Sequence, residues 1–411
     1  MLSSFRNAIK VYPRQFWLLF IGMLISSAGS SMIWPFLLLY VSKRLNQPLT
    51  EIATLLTISA LMGMIFSFVA GPITDKLGRK WVMVISLAVN GISYIFMSFA
   101  DSYMAFAIIQ ALMGAFNPLY RVGSDAMTAD LIPQENRPEA YSFMRMSNNV
   151  GVAIGPALGG FLATHSYTTA FYLAAGGMIF YSLLLLFKAH ETLPELGAES
   201  LGGIKLLTSY SKIFLDGRFM GFVVGMTLTS MMASLMWTIL PVYTNTQFGL
   251  PENLYGLIAT TNAVMVVVFQ YFVTQQTRKY APLPVVAVGA VFYTVAAIMI
   301  SFSTGFLGFW FCMVVSTIGE LILVPTGTTY AANLASPDMR GRYMSIYGLT
   351  WSVASMLAPL FGAFLSDNFG PRTTWYGSGV IGLYAIAVYL LVMVIFRRKT
   401  QAAAMSVERR E

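Results

Sequence analysis

Long apolar stretches, separated by short polar connections, repeat along the whole chain. A helix that crosses a membrane needs about 20 mostly apolar residues, and the chain contains twelve stretches of that kind. The pattern therefore predicts an all-α integral membrane protein with twelve transmembrane helices. The predicted spans are residues 16–41, 51–74, 81–100, 103–129, 139–162, 168–188, 218–243, 253–275, 283–302, 306–332, 342–366 and 373–396.

The longest polar connection, residues 189–217, lies between the sixth and seventh predicted spans. It contains glycine, serine, proline and mixed charges, and it divides the spans six and six. We therefore expect four parts in the chain. They are an N-terminal six-helix bundle (1–188), a cytoplasmic central loop (189–217), a C-terminal six-helix bundle (218–399) and a cytoplasmic tail (400–411).

The composition agrees with a membrane location and predicts an orientation. The chain has 57% hydrophobic and only 10% charged residues, whereas a soluble domain has about 25% charged residues. With the N-terminus placed inside, 20 of the 25 Lys and Arg residues fall in inside segments and 3 in outside segments. The positive-inside rule then predicts that both termini are cytoplasmic. Because the basic residues are scattered over short loops, the net charge of +8 does not indicate a nucleic-acid partner. One cysteine and two histidines without metal-ligand spacing predict no metal site.

The two halves of the sequence match each other at a constant offset of 203 positions. Parallel six-helix repeats are a transporter architecture, with the substrate near the bilayer midplane at the repeat interface. We therefore place the equivalent tryptophans Trp34 and Trp237 in a predicted substrate cavity. The serines on the same two spans either serve that cavity or only allow close helix packing. In the matching spans, Gly22, Trp34, Tyr40, Arg137, Pro156 and Gly159 recur as Gly225, Trp237, Tyr243, Arg340, Pro359 and Gly362.

A ten-residue motif, GPITDKLGRK from Gly71 to Lys80, connects the second and third spans. Gly71 permits a close helix contact, and Asp75 can cap a cytoplasmic helix N-terminus, where the helix dipole is positive. Arg79 can bridge Asp75 to Asp130. The motif resembles the signature loop of the major facilitator superfamily, which implies the major facilitator fold and a partner at the start of the eleventh helix. We expect a cytoplasmic gate here, although the charges alone would also serve to orient the chain. The gate residues would be Gly71, Asp75, Gly78, Arg79, Lys80 and Asp130.

The fifth span carries a second motif, in which glycines recur every four residues beside a proline. Glycines at this spacing make one smooth helix face for close packing. The pattern resembles the antiporter motif of proton-coupled drug exporters in the same superfamily, which implies export rather than uptake. A plain packing role is the alternative. The motif residues are Gly151, Gly155, Pro156 and Gly159.

Ionisable side chains inside membrane spans are costly and mark functional sites. Asn117, Arg121 and Asp125 follow one another at helical spacing and form one polar stripe on the fourth span. Arg121 and Asp125 either serve proton coupling or neutralise each other as an i,i+4 pair. Glu320 has no basic residue on its own span, and desolvation favours its protonated form, so it can load and release a proton. A glutamate that only hydrogen-bonds to serines is the alternative. The predicted proton-coupling residues are Glu320, Asp125 and Arg121, and the predicted cavity residues are Trp34, Asn117, Arg121, Trp237 and Glu320.

The tenth span around Glu320 resembles the equivalent segment of twelve-helix drug–proton antiporters of the superfamily. The resemblance implies a secondary-active, proton-coupled exporter of small amphipathic compounds that works by alternating access in a bacterial inner membrane. We expect a small-molecule substrate, a proton as coupling ion, no cofactor, and a functional monomer in the lipid bilayer. A superfamily transporter for one metabolite, such as a sugar, peptide or glycolipid, is the alternative. No His/Asp/Ser constellation supports an intramembrane enzyme, and a channel would conduct without a proton gradient.

Overall fold

The computed structural model describes residues 11–193, 213–335 and 339–408, and the regular structure in these ranges is helical. Residues 194–212 of the predicted central loop and 409–411 of the predicted tail lie outside the described residues. Twelve helices follow the twelve predicted spans. They are α1 (Arg14–Leu45), α2 (Leu49–Leu77), α3 (Arg79–Phe99), α4 (Tyr103–Leu131), α5 (Arg137–His165), α6 (Tyr167–Lys188), α7 (Gly217–Thr238, continuing as Leu240–Phe248), α8 (Glu252–Thr277), α9 (Pro282–Phe302), α10 (Gly305–Leu334), α11 (Arg340–Phe369) and α12 (Thr373–Glu408).

Within the described residues, eleven of these helices are long and apolar enough to cross a membrane. The other helix is α5, which at 29 residues is as long as α2 and α4. Its lower hydropathy comes from charged residues in its first turns and from the glycine face described below. The main boundary difference is α12, which continues to Glu408 instead of ending at residue 396. No Pro or Gly interrupts residues 397–408, and three consecutive alanines favour the helix there.

Two helices are broken at equivalent positions. A 3₁₀ turn, Trp34–Phe36, interrupts α1 because Pro35 has no N–H to donate inside the helix. The helix α7 is interrupted at Ile239, which is equivalent to Phe36. Beside the breaks, Trp34 and Trp237 are each half-buried among buried neighbours. The sequence pattern did not predict these breaks.

The same two helices also end alike. Asn46 after α1 has φ +52°, and Gly249 after α7 has φ +63°. Asparagine and glycine are the residues that enter this left-handed conformation most readily, and each is followed two positions later by a proline, Pro48 or Pro251. Both helices therefore stop at equivalent places for the same backbone reason.

The described residues form two compact units. The first contains those of Met1–Glu199 together with Thr244–Ala263, and the second contains those of Ser200–Tyr243 and Val264–Glu411. In the first unit α1 packs on α5 and α6, while α3 packs on α4 and α6. In the second, α7 packs on α11 and α12, while α9 packs on α10 and α12. The two sets of helices are thus paired in the same way, while residues 244–263 of the second repeat belong to the first unit.

Each unit has its own apolar core, and the two cores use equivalent positions. Since lipid is as apolar as leucine, these cores gain more from close packing than from leaving water. The nine matching pairs, each 203 positions apart, are Phe16 and Phe219, Leu19 and Phe222, Met83 and Val286, Val84 and Ala287, Leu87 and Ala290, Met127 and Tyr330, Ile132 and Ala335, Ala140 and Tyr343, and Ala189 and Val392.

Candidate functional site

The turn between α2 and α3 holds a network of charges in the first unit. The Arg79 guanidinium pairs with Asp75 through Nη2 at 3.2 Å and with Asp130 through Nε at 3.1 Å. Thr192 Oγ1 also donates to Asp130 Oδ2, at 2.9 Å. The Arg79 side chain is 11% exposed, so both carboxylates act on a largely desolvated cation. Arg79 therefore does bridge the two aspartates that the sequence analysis assigned to it.

A residue that the sequence analysis missed completes this network. The carboxylate of Glu191 accepts hydrogen bonds from Arg79 N at 2.9 Å and Lys80 N at 3.1 Å. It thereby caps the N-terminus of α3, where the backbone N–H groups are otherwise unpaired. Gly78 precedes this cap with φ +94°, and a Cβ on Gly78 would overlap the Glu191 carboxylate. The only sequence signal for Glu191 is an acidic residue just beyond the sixth span.

Other parts of the predicted gate are not brought together inside the first unit. The Asp75 side chain is 60% exposed. Lys80 lies over the Trp81 ring, with Nζ 5.5 Å from the ring centroid. A Cβ built on Gly71 would meet no described atom within 4 Å. The expected partner of Asp75 and Gly71, helix α11, belongs to the second unit, so their gate role stays a prediction.

The start of α1 is also fixed at this end. Tyr12 OH donates to Glu139 Oε2 at 2.9 Å. Burial, and after it this hydrogen bond, raises the pKa of Tyr12 to about 12. The phenol therefore remains a protonated donor at neutral pH and ties the entry of α1 to the first turn of α5.

The glycine face of α5 packs directly on the backbone of α1. A Cβ added at Gly155 would lie 2.8 Å from the Ala28 carbonyl oxygen and would overlap the Ser31 hydroxyl. A Cβ at Gly159 would overlap the Met32 carbonyl. Ser31 Oγ donates across the contact to Gly151 O at 3.2 Å. The serine stripe of α1 and the glycines of α5 therefore share one interface, and for Ser31 the packing alternative describes what is observed.

The first turns of α8 also pack against α5 in the first unit. A Cβ on Gly160 would overlap the backbone of Glu252, and one on Gly256 would lie 2.5 Å from the Pro156 carbonyl oxygen. Thr260 Oγ1 donates to Ala153 O at 3.3 Å. The glycine motif of α5 therefore holds helices from both sequence repeats, α1 on one side and the start of α8 on the other.

A second ion pair missed from sequence lies at this contact. Lys43 Nζ is 2.6 Å from Glu252 Oε1, and Tyr167 OH donates to the same oxygen at 2.7 Å. The Glu252 side chain is 8% exposed, whereas Lys43 is 45% exposed. Lys43 follows the last apolar residues of α1 and Glu252 begins α8. The predicted topology had already placed both on the outside, and that was the available signal.

The polar stripe of α4 has its predicted spacing but no internal ion pair. Asn117, Arg121 and Asp125 are all exposed on the first unit, while Gly114 is buried against the backbone of Ser59 in α2. In the described part of the chain, no salt bridge joins Arg121 to Asp125. Arg121 nevertheless acts on Asp125 electrostatically, so the neutralising i,i+4 pair considered from sequence stays a prediction. Both charged groups lie on an exposed face of a membrane helix.

Glu320 occupies the middle of α10 in the second unit. It is half-buried and lies close enough to the buried Tyr293 of α9 for the two groups to interact electrostatically. The preceding residue, Gly319, brings the two helices together, since its added Cβ would lie 2.7 Å from Gly289 O. Glu320 is thus held at a tight α9–α10 contact in the centre of an apolar helix.

Twelve long helices in two matching repeats within the described residues, eleven of them apolar enough to cross a membrane, with ionisable groups inside the spans, define a multi-pass membrane transporter. The family model described as Major Facilitator Superfamily matches residues 19–251 and, in a second match, residues 222–410. The two matches cover nearly the whole chain, so the chain belongs to the Major Facilitator Superfamily.

Three relatives show the range of the similarity. The chain is 25% identical over 395 residues to the uncharacterized MFS-type transporter YhjO of Bacillus subtilis, covering 95% of this chain and 94% of that protein. It is 24% identical to a Na(+), Li(+), K(+)/H(+) antiporter of Planococcus maritimus (96% and 99% covered). It is 23% identical to the quinolone resistance protein NorA of Staphylococcus aureus (86% and 90% covered). Among solved structures, a mutant of the nucleoside transporter NupG has a TM-score of 0.79 at 12% identity, over 92% of this chain and 99% of that one. That likeness concerns the fold alone.

Proposed function

We propose that the chain is a proton-coupled exporter of small amphipathic compounds that works by alternating access. The observation that carries the proposal is Glu320, a half-buried carboxylic acid at the centre of an apolar helix with no basic residue on that helix. A carboxylate in such a place is costly when charged, so its protonation responds to a proton gradient and to a nearby cation. A H(+)-coupled antiporter and a quinolone resistance protein among the relatives support this reading.

The exposed polar face of α4 supplies further groups for the same cycle. Arg121 and Asp125 lie on one exposed side of this helix without a salt bridge between them, so both charges are open to solvent or to a transported species. We assign Arg121 and Asp125, together with Glu320, to the proton-coupling set. Trp34, Trp237 and Asn117 complete the proposed substrate cavity. We expect the protein to act as a monomer in a bacterial inner membrane, with both termini cytoplasmic.

Proteoliposomes with an imposed pH gradient and a fluorescent cationic substrate test the coupling. Glu320→Gln, which keeps the size of the side chain, should abolish gradient-driven efflux, because a neutral amide cannot carry a proton. Glu51→Gln, on the exposed first turn of α2, is the matched control and should transport at the wild-type rate. Gradient-driven efflux by Glu320→Gln at the wild-type rate would show that the proton is carried elsewhere.

Breadth of substrate separates the drug exporter from a transporter for one metabolite. Cells that produce the protein should tolerate several chemically unrelated cationic and neutral toxins, and the Glu320→Gln variant should remove that tolerance for all of them. Tolerance to a single compound class, or none, would favour the specific metabolite transporter.

The cluster of Lys43, Glu252 and Tyr167 is proposed as the outer gate of this cycle. Glu252 is nearly buried, so loss of its charge removes the ion pair that joins the start of α8 to Lys43 of α1 and should loosen α8 in the first unit. A reporter, Ala157→Cys, stands on α5 against Gly256, in a Cys312→Ala background without other thiols. Glu252→Gln should increase its labelling by a membrane-impermeant maleimide several-fold over Glu51→Gln. Equal labelling rates in the two variants would count against the gate.

A further inference from the structure

The second unit contains an open cleft of about 530 Å³ where α7 and α9 begin, on the predicted cytoplasmic side. One end of the cleft is cationic and aromatic, and the remaining wall is apolar. Leu390 and Val394 on that wall are each 49% exposed, so it is open to the surroundings of the helix. Its lining includes Arg218, Pro282, Tyr330, Leu390, Met393 and Val394.

The cation in this cleft is held in place without a carboxylate. Arg218 Nε donates to Tyr330 OH at 2.8 Å, and its guanidinium carbon lies 5.5 Å from the centroid of the Tyr330 ring. The neighbouring Asp216 is used elsewhere, since it accepts from Phe219 N at 3.1 Å and from Tyr343 OH at 3.0 Å. In the described ranges, no carboxylate lies within 4.0 Å of the Arg218 guanidinium.

In the first unit, the position equivalent to this cleft is filled by the chain itself. Gln15 and Met127 are the counterparts of Arg218 and Tyr330. Gln15 Nε2 donates to His190 O at 2.8 Å, and its Oε1 accepts from His190 N at 3.1 Å, which fixes the segment that follows α6. The next residue, Glu191, places its carboxylate on the N-terminus of α3. An anionic group on the chain itself therefore occupies this site in the first unit.

The second unit has no such turn at the described end of its last helix. Where α6 ends at Lys188 and the chain turns to Glu191, α12 continues as a helix to Glu408. In the first unit the Glu191 carboxylate lies at the start of α3. The corresponding position at the start of α9 is the cleft.

We propose that this cleft binds an anionic phospholipid of the cytoplasmic leaflet. Its phosphate would lie beside Arg218, in the position that the Glu191 carboxylate holds in the first unit, and an acyl chain would follow Leu390 and Val394. Arginine matches phosphate oxygens with a fork of N–H donors, and basic pockets between membrane helices on this side suit anionic head groups. The apolar wall favours a lipid over a free anion. Basic residues follow the lining in sequence: Arg397, Arg398 and Lys399.

Delipidated, purified protein can be titrated with phosphatidylglycerol or phosphatidylcholine, with bound lipid read by native mass spectrometry and thermal stabilisation measured in parallel. Phosphatidylglycerol should bind and raise the Tm, and phosphatidylcholine should bind at least about tenfold more weakly. Arg218→Gln should lose about tenfold in phosphatidylglycerol affinity. Lys279→Gln removes an exposed cation outside the lining and should bind like wild type.

A second variant tests the cleft without altering its charge. Leu390→Trp fills the apolar wall from a lipid-exposed position, so the protein should fold while losing phosphatidylglycerol retention. Equal binding of the two lipids to wild type would overturn the proposal, as would wild-type affinity in both Arg218→Gln and Leu390→Trp. The same thermal shift with inorganic phosphate would also overturn it, because that result describes a site for a free anion.

Discussion

The α2–α3 turn and the α8–α9 turn stand at equivalent places in the two repeats, yet they start the next helix in different ways. In the first repeat, Gly78 has φ +94° and the Glu191 carboxylate caps α3 from outside the helix. In the second, the equivalents are Ala281, with φ −60°, and Pro282 at the first helical position. Proline needs no partner for a missing N–H and its ring presets a helical φ.

The start of α3 in the first repeat therefore depends on the charge of a capping carboxylate. The start of α9 in the second repeat depends on the fixed backbone geometry of a proline. A start that depends on Glu191, Arg79 and Asp130 can be rearranged when the charges find other partners. The start of α9 at Pro282 cannot be rearranged in this way, because the proline ring fixes φ. This asymmetry fits a cytoplasmic gate whose charged motif is present in the first repeat and absent from the equivalent turn of the second.

The fifth helix of each repeat shows a parallel difference. Gly159 of α5 meets the backbone of Met32 in α1, whereas its equivalent in α11, Gly362, meets the side chains of Leu235 and Ile239 in α7. Backbone contact leaves no freedom to adjust, while leucine and isoleucine side chains can change rotamer. The α5–α1 contact should therefore tolerate added volume worst.

The largest expected effect tests that contact. Gly155→Ala adds a methyl group against the α1 backbone and should destabilise the fold by about 1–3 kcal/mol, as overpacking does, with loss of transport. Gly176→Ala on α6, where an added Cβ meets no described atom within 4 Å, is the control and should retain the wild-type Tm. Thermal unfolding in detergent measures both, and a wild-type Tm for Gly155→Ala would contradict the tight contact.

The next effect compares the two helix starts directly. Gly78→Ala forces alanine into a left-handed conformation, at a cost of about 1–2 kcal/mol, and also displaces the Glu191 carboxylate. Ala281→Gly at the equivalent position has an ordinary φ and should change stability by less than about 0.5 kcal/mol. Thermal unfolding in detergent compares the Tm shifts of the two variants. Equal shifts would mean that the two turns depend on backbone conformation to the same extent.

The smallest effect concerns the charge of the cap. Glu191→Gln keeps an acceptor oxygen but removes the negative charge from the start of α3, which should cost about 0.3–1 kcal/mol at low ionic strength. The loss should shrink in high salt, because exposed charges are screened. Glu135→Gln, an exposed residue before α5, serves as control. A loss that is independent of salt would point to packing instead of charge.

Local patterns predicted the twelve spans and the repeat, because span length and the offset of 203 positions are visible in the chain itself. The helix break at Trp34–Phe36 was not predicted, because the spans were located from apolar composition alone and the effect of Pro35 was not considered. Glu191 and the pair of Lys43 with Glu252 escaped because their partners lie more than 100 positions away. Helical spacing placed Arg121 and Asp125 on one side of α4, but spacing alone does not fix whether two long side chains form a salt bridge.

The equivalent cores have a consequence for redesigning the molecule. Val286 and Ala290 in α9 are smaller than Met83 and Leu87 in α3, whereas Tyr330 and Tyr343 are larger than Met127 and Ala140. At these four pairs the first half carries the larger side chains on α3, and the second half carries them on α10 and α11. Grafting all four residues together from one half to the other combines losses of side-chain volume with gains. We therefore expect the combined graft to fold better than any single exchange, which leaves a void or a clash.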